Sequence, residues 1–184
     1  MTTSTTTESA PTSPVPGPGL GELPDRELER GELADLVKRV GDRPELWRAH
    51  VGFDDDERHY VCLHRDAHLD LWVLCWTPVN DTGWHDHDTS AGAVAVVEGS
   101  LLEQNLAVGS PGLRRQVDAG SVFDFGPDHI HRMSGLAAGS VSIHAYSPPL
   151  WRLGQYTVDP SGALRRTSVS YAEELRPVDE SAAP

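Results

Sequence analysis

Between Asp25 and Val51, Leu28, Leu33, Leu36, Val37 and Val40 recur at helical intervals, and Gly41 offers a stop. The stretch DRPELWRAH that follows, with Asp42 near its cap, predicts a second short helix. After Phe53 the texture becomes that of β-strands. HLDLWVLCW (68–76), AGAVAVVEGSLLEQNLAV (91–108), RRQVDAGSVFDF (114–125) and GSVSIHAYS (139–147) are rich in β-branched and aromatic residues, and turns of Pro, Gly, Asn and Asp divide them. Glu98-Gly99 in VVEGSL reads as the bend of a hairpin. Short strands without intervening helices predict an all-β core, a small antiparallel β-barrel of jelly-roll type over about residues 53–160, preceded by N-terminal helices over about 25–50.

Residues 1–22 hold almost nothing that could form a core and predict a disordered tail; 171–184 form a second tail, which leaves one domain over 23–170. No apolar run of membrane-spanning length and no basic, apolar leader occur, so the expectation is a soluble cytoplasmic protein without a membrane partner, a monomer or weak homo-oligomer. A formal charge of -13 argues against a nucleic-acid partner, although much of it lies in the termini. Cys62 and Cys75 sit in apolar stretches without CxxC spacing and read as buried reduced thiols.

Chemistry is concentrated in the histidines. On a strand, residues i and i+2 share a face, so His85 and His87 of GWHDHD project side by side while Asp86 points away. A lone HxH is common on surfaces, but GSVFDFGPDHIHR ends in a second pair, His129 and His131, on a separate strand. Imidazole ligands suit iron, copper, nickel or zinc, and the usual non-haem iron site adds one carboxylate. That carboxylate is missing: Asp88 falls on the wrong face or at the strand end and Glu98 at a turn. A neutral third histidine is the simpler completion. It would leave the metal its full charge and a preference for an anionic ligand such as a thiolate. His50, His59, His64 and His68 lack a partner motif and read as surface or strand-edge residues.

In VSIHAYSPPLW (141–151), Ser142, His144 and Tyr146 alternate with Val141, Ile143 and Ala145, giving one polar, hydrogen-bondable face and one apolar face. A solvent-facing strand would more often carry charges and Thr, so the polar face is expected to point inward as a relay. No G-x-S-x-G elbow supports a serine hydrolase.

HDH at 85–87, HIHRMS at 129–134 and SIHAYSPPLW at 142–151, in this order and spacing, resemble the cysteine dioxygenase family of thiol dioxygenases, within the cupin superfamily, over about residues 44–156. The resemblance implies Fe(II) held by His85, His87 and His131, a small thiol and O2 as substrates, and a sulfinic acid as product. It also implies a catalytic Ser142-His144-Tyr146 relay. Animal members carry a cysteine, crosslinked to the relay tyrosine, where this chain has Gly92, so no such crosslink forms here, as in many bacterial members. Cysteine-specific members hold the substrate carboxylate with an arginine, and an ungapped count puts Tyr60 at that place. Arg58, two residues earlier on the same face, or Arg65 could substitute. Trp84, beside the first ligand, is expected to line the pocket, while Trp72, Trp76 and Trp151 read as packing. An aromatic lining would suit 3-mercaptopropionate, another mercapto acid such as mercaptosuccinate, or ergothioneine as well as L-cysteine. His129 is expected to be a pocket residue or a support behind the metal ligands. A metal-dependent cupin that takes up no O2 and a non-enzymatic cupin that senses a small molecule are the other readings.

Overall fold

The computed structural model describes residues 19–106, 112–159, 161 and 163–170. The expected tails lie outside these residues, apart from a short stretch before Leu23 in which Leu20 packs partly buried against the core.

Helix α1 spans Arg30–Gly41 and starts later than the apolar spacing suggested, because Glu29 and Glu32 form a reciprocal capping box that defines its first turn. Its buried stripe is Leu33, Leu36, Val37 and Val40, each of which contributes roughly 1.5–3 kcal/mol on leaving water. The second helix expected over DRPELWRAH does not form. Two single 3-10 turns, Pro44–Leu46 and Arg48–His50, stand there instead. Pro44 has no N–H to give, the segment is too short to repay helix nucleation, and Trp47 is anchored in the core with its indole N–H on the Gly41 carbonyl at 3.3 Å.

Eleven strands follow among the described residues: β1 Tyr60–Arg65, β2 Asp70–Trp76, β3 Trp84–Asp86, β4 Ala91–Glu98, β5 Ser100–Asn105, β6 Leu113–Asp118, β7 Val122–Phe125, β8 His131–Gly135, β9 Ser140–Ser147, β10 Arg152–Val158 and β11 Leu164–Ser170. They form two antiparallel sheets, β1-β2-β9-β4-β7 and β11-β10-β3-β8-β5-β6. The barrel expected from the sequence is therefore a pair of open facing sheets: no ladder links the edge strands of one sheet to those of the other among the described residues.

The bend at Glu98-Gly99 is not a hairpin. β4 and β5 belong to different sheets, and Gly99 (φ 69°) carries the chain between them where a side chain would run into Ser140. The stretch 114–125 is likewise cut, into β6 and β7, by a turn at Ala119 and Gly120, and its halves lie in opposite sheets.

Alternation along the first sheet sorts its two faces. Leu71, Val73, Ala93, Ala95, Val141 and Ile143 join the helix in one buried cluster, while Trp72, Leu74, Trp76, Val94 and Tyr146 belong to a second cluster between the sheets. The polar face of β9 is thereby turned into the interior, as its sequence suggested. No helix among the described residues is long and apolar enough to cross a membrane.

Candidate metal centre

Three imidazoles converge between the sheets. His85 lies on β3 and faces His131 across the β3–β8 ladder, and His87 follows immediately after β3. One nitrogen from each can be chosen so that all three lie within 4.8 Å of one another, with every ring buried. His85 Nδ1 donates to the Gly83 carbonyl (3.2 Å) and His131 Nδ1 to Glu103 Oε1 (3.2 Å), so both rings retain Nε2 for another partner. Both nitrogens of His87 are buried without a hydrogen-bond partner. An orphaned buried imidazole is costly unless something binds its lone pair, and a divalent metal at the centre of this triad fits that need. Burial, with repulsion among the neighbouring imidazoles, pushes His87 well below the ordinary histidine range. Burial also holds His131 down at about 3 against the pull of Glu103. Both rings are neutral at physiological pH, the form that binds metal.

Asp86 points away from the triad, as alternation requires. Its carboxylate accepts from Arg166 Nε (2.7 Å) and Nη2 (2.8 Å), from the Tyr156 hydroxyl (2.6 Å), and from the Gly154 and Asp88 N–H groups. These contacts tie β3 to β10 and β11 and so fix the strand that carries His85 and leads directly into His87. Trp84, adjacent to His85, shares the face of Asp86 and is not among the residues that line the cavity.

The polar face of β9 is a hydrogen-bonded chain. Trp76 Nε1 donates to Ser142 Oγ (2.8 Å), Ser142 lies 2.8 Å from His144 Nε2, and His144 Nδ1 lies 3.1 Å from the Tyr146 hydroxyl. Because the indole can only donate, the Ser142 hydrogen goes to His144 Nε2, which places the ring proton on Nδ1 and directs it to the tyrosine oxygen. Burial, and after it the nearby Arg58 guanidinium, keeps His144 neutral. The Tyr146 ring lies 5.3 Å from that of His87, so the chain ends beside the triad.

The cavity over the imidazoles is lined by Arg58, Trp76, Thr82, Met133, Tyr146 and three leucines, Leu74, Leu150 and Leu153. Of the three positions the sequence offered for holding an anion, Arg58 is the one that reaches it. Its guanidinium carbon lies 4.9 Å from the Trp76 ring centre, and its Nε is buried with no hydrogen-bond partner. Tyr60 packs half-buried against Trp72, with ring centres 6.0 Å apart, and is absent from the lining. Arg65 is committed to Asp70 through two bonds of 2.5 and 2.6 Å. His129 also stays out of the cavity, donating Nε2 to Glu103 behind His131. His64 departs from its expected surface position: a register shift in the β1–β2 ladder accompanies its burial, and Nε2 bonds Asp66 at 2.8 Å.

Gly92 pairs with Tyr146 across β4 and β9. A Cβ there would stand 2.5 Å from Phe125 Cζ and 3.1 Å from Tyr146 Cδ1. The buried Phe125 ring fills this space and stacks on His87, with ring centres 4.6 Å apart.

Sequence reasoning missed Glu103, Phe125, the donation by Trp76 to the hydrogen-bonded chain of β9, and Arg166. A signal existed for Glu103: it alternates with Leu101 on an apolar strand face, with Arg115 at the matching position of the following strand. No short-range pattern marks Arg166, which comes from 80 residues beyond Asp86.

A family model described as cysteine dioxygenase type I matches residues 23–158. Among solved structures the chain is similar to KdgF from Halomonas sp., at 17% identity and a TM-score of 0.48 over 56% of this chain and 92% of that one. It is similar to the TT1209 protein from Thermus thermophilus, at 10% identity and a TM-score of 0.49 over 55% and 92%. A conserved protein with a double-stranded β-helix domain from Klebsiella pneumoniae aligns at 12% identity and a TM-score of 0.49 over 65% and 92%.

Proposed function

The chain belongs to the cysteine dioxygenase type I family, and we propose that it is a mononuclear non-haem Fe(II) thiol dioxygenase that joins both atoms of O2 to the sulfur of a small thiol, RSH + O2 giving RSO2H. The observation that carries this reading is the unpartnered, fully buried His87 facing two imidazoles whose Nδ1 atoms are already engaged. Fe(II) held by His85, His87 and His131 would supply open positions for thiolate and O2 and the electrons that couple them.

The remaining work belongs to the chain. Ser142 fixes the His144 tautomer, His144 donates its Nδ1–H as a hydrogen bond to the Tyr146 oxygen, and the phenol hydrogen is thereby directed at a ligand in the cavity. Arg58 takes the carboxylate of the thiol. Among the described residues no aspartate or glutamate lines the cavity to receive an ammonium group, so the pocket favours mercapto acids over aminothiols, and L-cysteine would bind through its carboxylate alone. Leu74, Leu150 and Leu153 keep water from the reacting sulfur. Because Arg166 on β11 secures Asp86, the functional unit extends past the family match to about residue 170. Cys62, pushed up to about 11 first by burial, and the unpaired Cys75 support a reducing, cytoplasmic setting.

The test is O2 uptake by the Fe(II)-reconstituted chain with L-cysteine, cysteamine, 3-mercaptopropionate, mercaptosuccinate and ergothioneine, with sulfinate detected by mass. Uptake with the mercapto acids and little with cysteamine is expected. Bound metal with no uptake for any thiol would refute the dioxygenase reading in favour of a metal-dependent cupin with other chemistry.

A further inference from the structure

The carboxylate that the metal face lacks stands one hydrogen bond behind it. Glu103 on β5 is fully buried, and its Oε1 accepts from His131 Nδ1 and from His129 Nε2, each at 3.2 Å. Its Oε2 accepts from Arg115 Nε and Nη2, each at 2.5 Å. We propose that Glu103 is a positioning residue for the metal centre: acting through His131, it sets that ring's tautomer and orientation and lends anionic character to one of three otherwise neutral ligands. The proposal rests on the reading of His85, His87 and His131 as the iron triad.

The three imidazoles differ in what lies behind them. His85 has the neutral Gly83 carbonyl at Nδ1, His87 has nothing, and His131 alone has a carboxylate. An ionised carboxylate only accepts, so His131 must carry its proton on Nδ1 and present Nε2. In a water-poor interior, that charge makes the ring a stronger donor and offsets part of the double positive charge of a bound ion. An ion pair with Arg115 alone would explain the burial of Glu103. It would not explain two imidazole donors on the remaining oxygen, one of them a member of the triad.

Glu103, His129 and His131 also lie close enough to be read as a second metal site. That reading requires His131 to give both nitrogens to cations at once, and it places the Arg115 guanidinium against a ligand oxygen. Positioning is the simpler use of the same atoms.

The test compares the full-length wild type with Glu103→Gln, both loaded with Fe(II), which keeps the shape of the side chain and removes its charge. Two readouts are used: Fe(II) affinity by chelator competition, and the Fe(III)/Fe(II) potential by mediated titration. Glu103→Gln is expected to weaken Fe(II) binding by about 10–100-fold and to shift the potential positive, because the ferric state loses the negative charge behind His131. Arg115→Met supplies a second variant should the first fail to fold. Arg115 is half-exposed and its loss leaves Glu103 less neutralised, so the potential should move negative. Unchanged affinity and potential in Glu103→Gln, or an unmoved potential in Arg115→Met, overturns the positioning role while leaving the dioxygenase reading intact. A second equivalent of iron in the wild type that disappears in Glu103→Gln also overturns it, by making Glu103 a ligand. A wild type that binds no iron overturns both readings.

Discussion

Replacing Gly92 by alanine probes how the site is packed where a crosslink cysteine would stand. The new Cβ would lie 2.5 Å from Phe125 Cζ, about 1 Å inside the usual 3.5–4.0 Å carbon–carbon separation. The Phe125 ring cannot simply retreat, since it is 2% exposed and lies 4.6 Å from the His87 ring and 5.1 Å from that of His129. Overpacking of this kind costs about 1–3 kcal/mol, and for a chain of this size each kcal/mol lowers Tm by roughly 2–4 °C, so a fall of about 2–12 °C is expected. Scanning calorimetry of Gly92→Ala alone and combined with Phe125→Leu measures it. The double variant should melt above the single one because leucine vacates the contested volume. A single variant that melts with the wild type, or a double variant no more stable than the single, would show that Phe125 does not fill the space beside Gly92.

Three further outcomes are expected. Tyr146→Phe should bind Fe(II) with wild-type affinity yet lose turnover or coupling of O2 to product by about 10²-fold, as read by parallel O2 and sulfinate assays; unaffected turnover would remove the phenol from the reaction. Arg58→Met should raise KM for an anionic mercapto acid at least tenfold while leaving an uncharged thiol little changed, and equal effects on both would deny a carboxylate contact. Arg166→Leu should lower stability at neutral pH. Against the cost of burial, the hydrogen bonds from Arg166 and Tyr156 hold Asp86 below the ordinary aspartate range. A depressed carboxyl stabilises the fold above its unfolded pKa and loses that contribution as pH falls, so the wild-type advantage over Arg166→Leu should shrink below about pH 4. A gap in Tm that stays constant from pH 7 to pH 3 would count against the clamp.

The histidine triad was legible because period-two alternation places His85 and His87 on one face, and a second HxH on another strand made chance unattractive. The hydrogen-bonded face of β9 was legible for the same reason: the strand separates Ser142, His144 and Tyr146 from Val141, Ile143 and Ala145 without exception. What alternation cannot show is which sheet a strand joins. Glu98-Gly99 has the composition of a hairpin bend, yet the chain crosses there from one sheet to the other, a choice made by packing against Ser140. The same limit hid Glu103, Phe125 and Arg166, whose roles depend on partners brought together by strand pairing. Nor can alternation separate Tyr60 from Arg58: Arg58 precedes β1 and lies over Trp76 at the cavity, while Tyr60 packs against Trp72.

Thiol dioxygenation requires that both oxygens of the product come from O2. The Fe(II)-loaded chain, supplied with 3-mercaptopropionate under heavy-isotope O2 in ordinary water, should form a sulfinate in which both oxygens carry the label, in step with O2 consumed. A product that carries label on only one oxygen, or unlabelled product with O2 untouched, would contradict thiol dioxygenation at the His85, His87 and His131 centre.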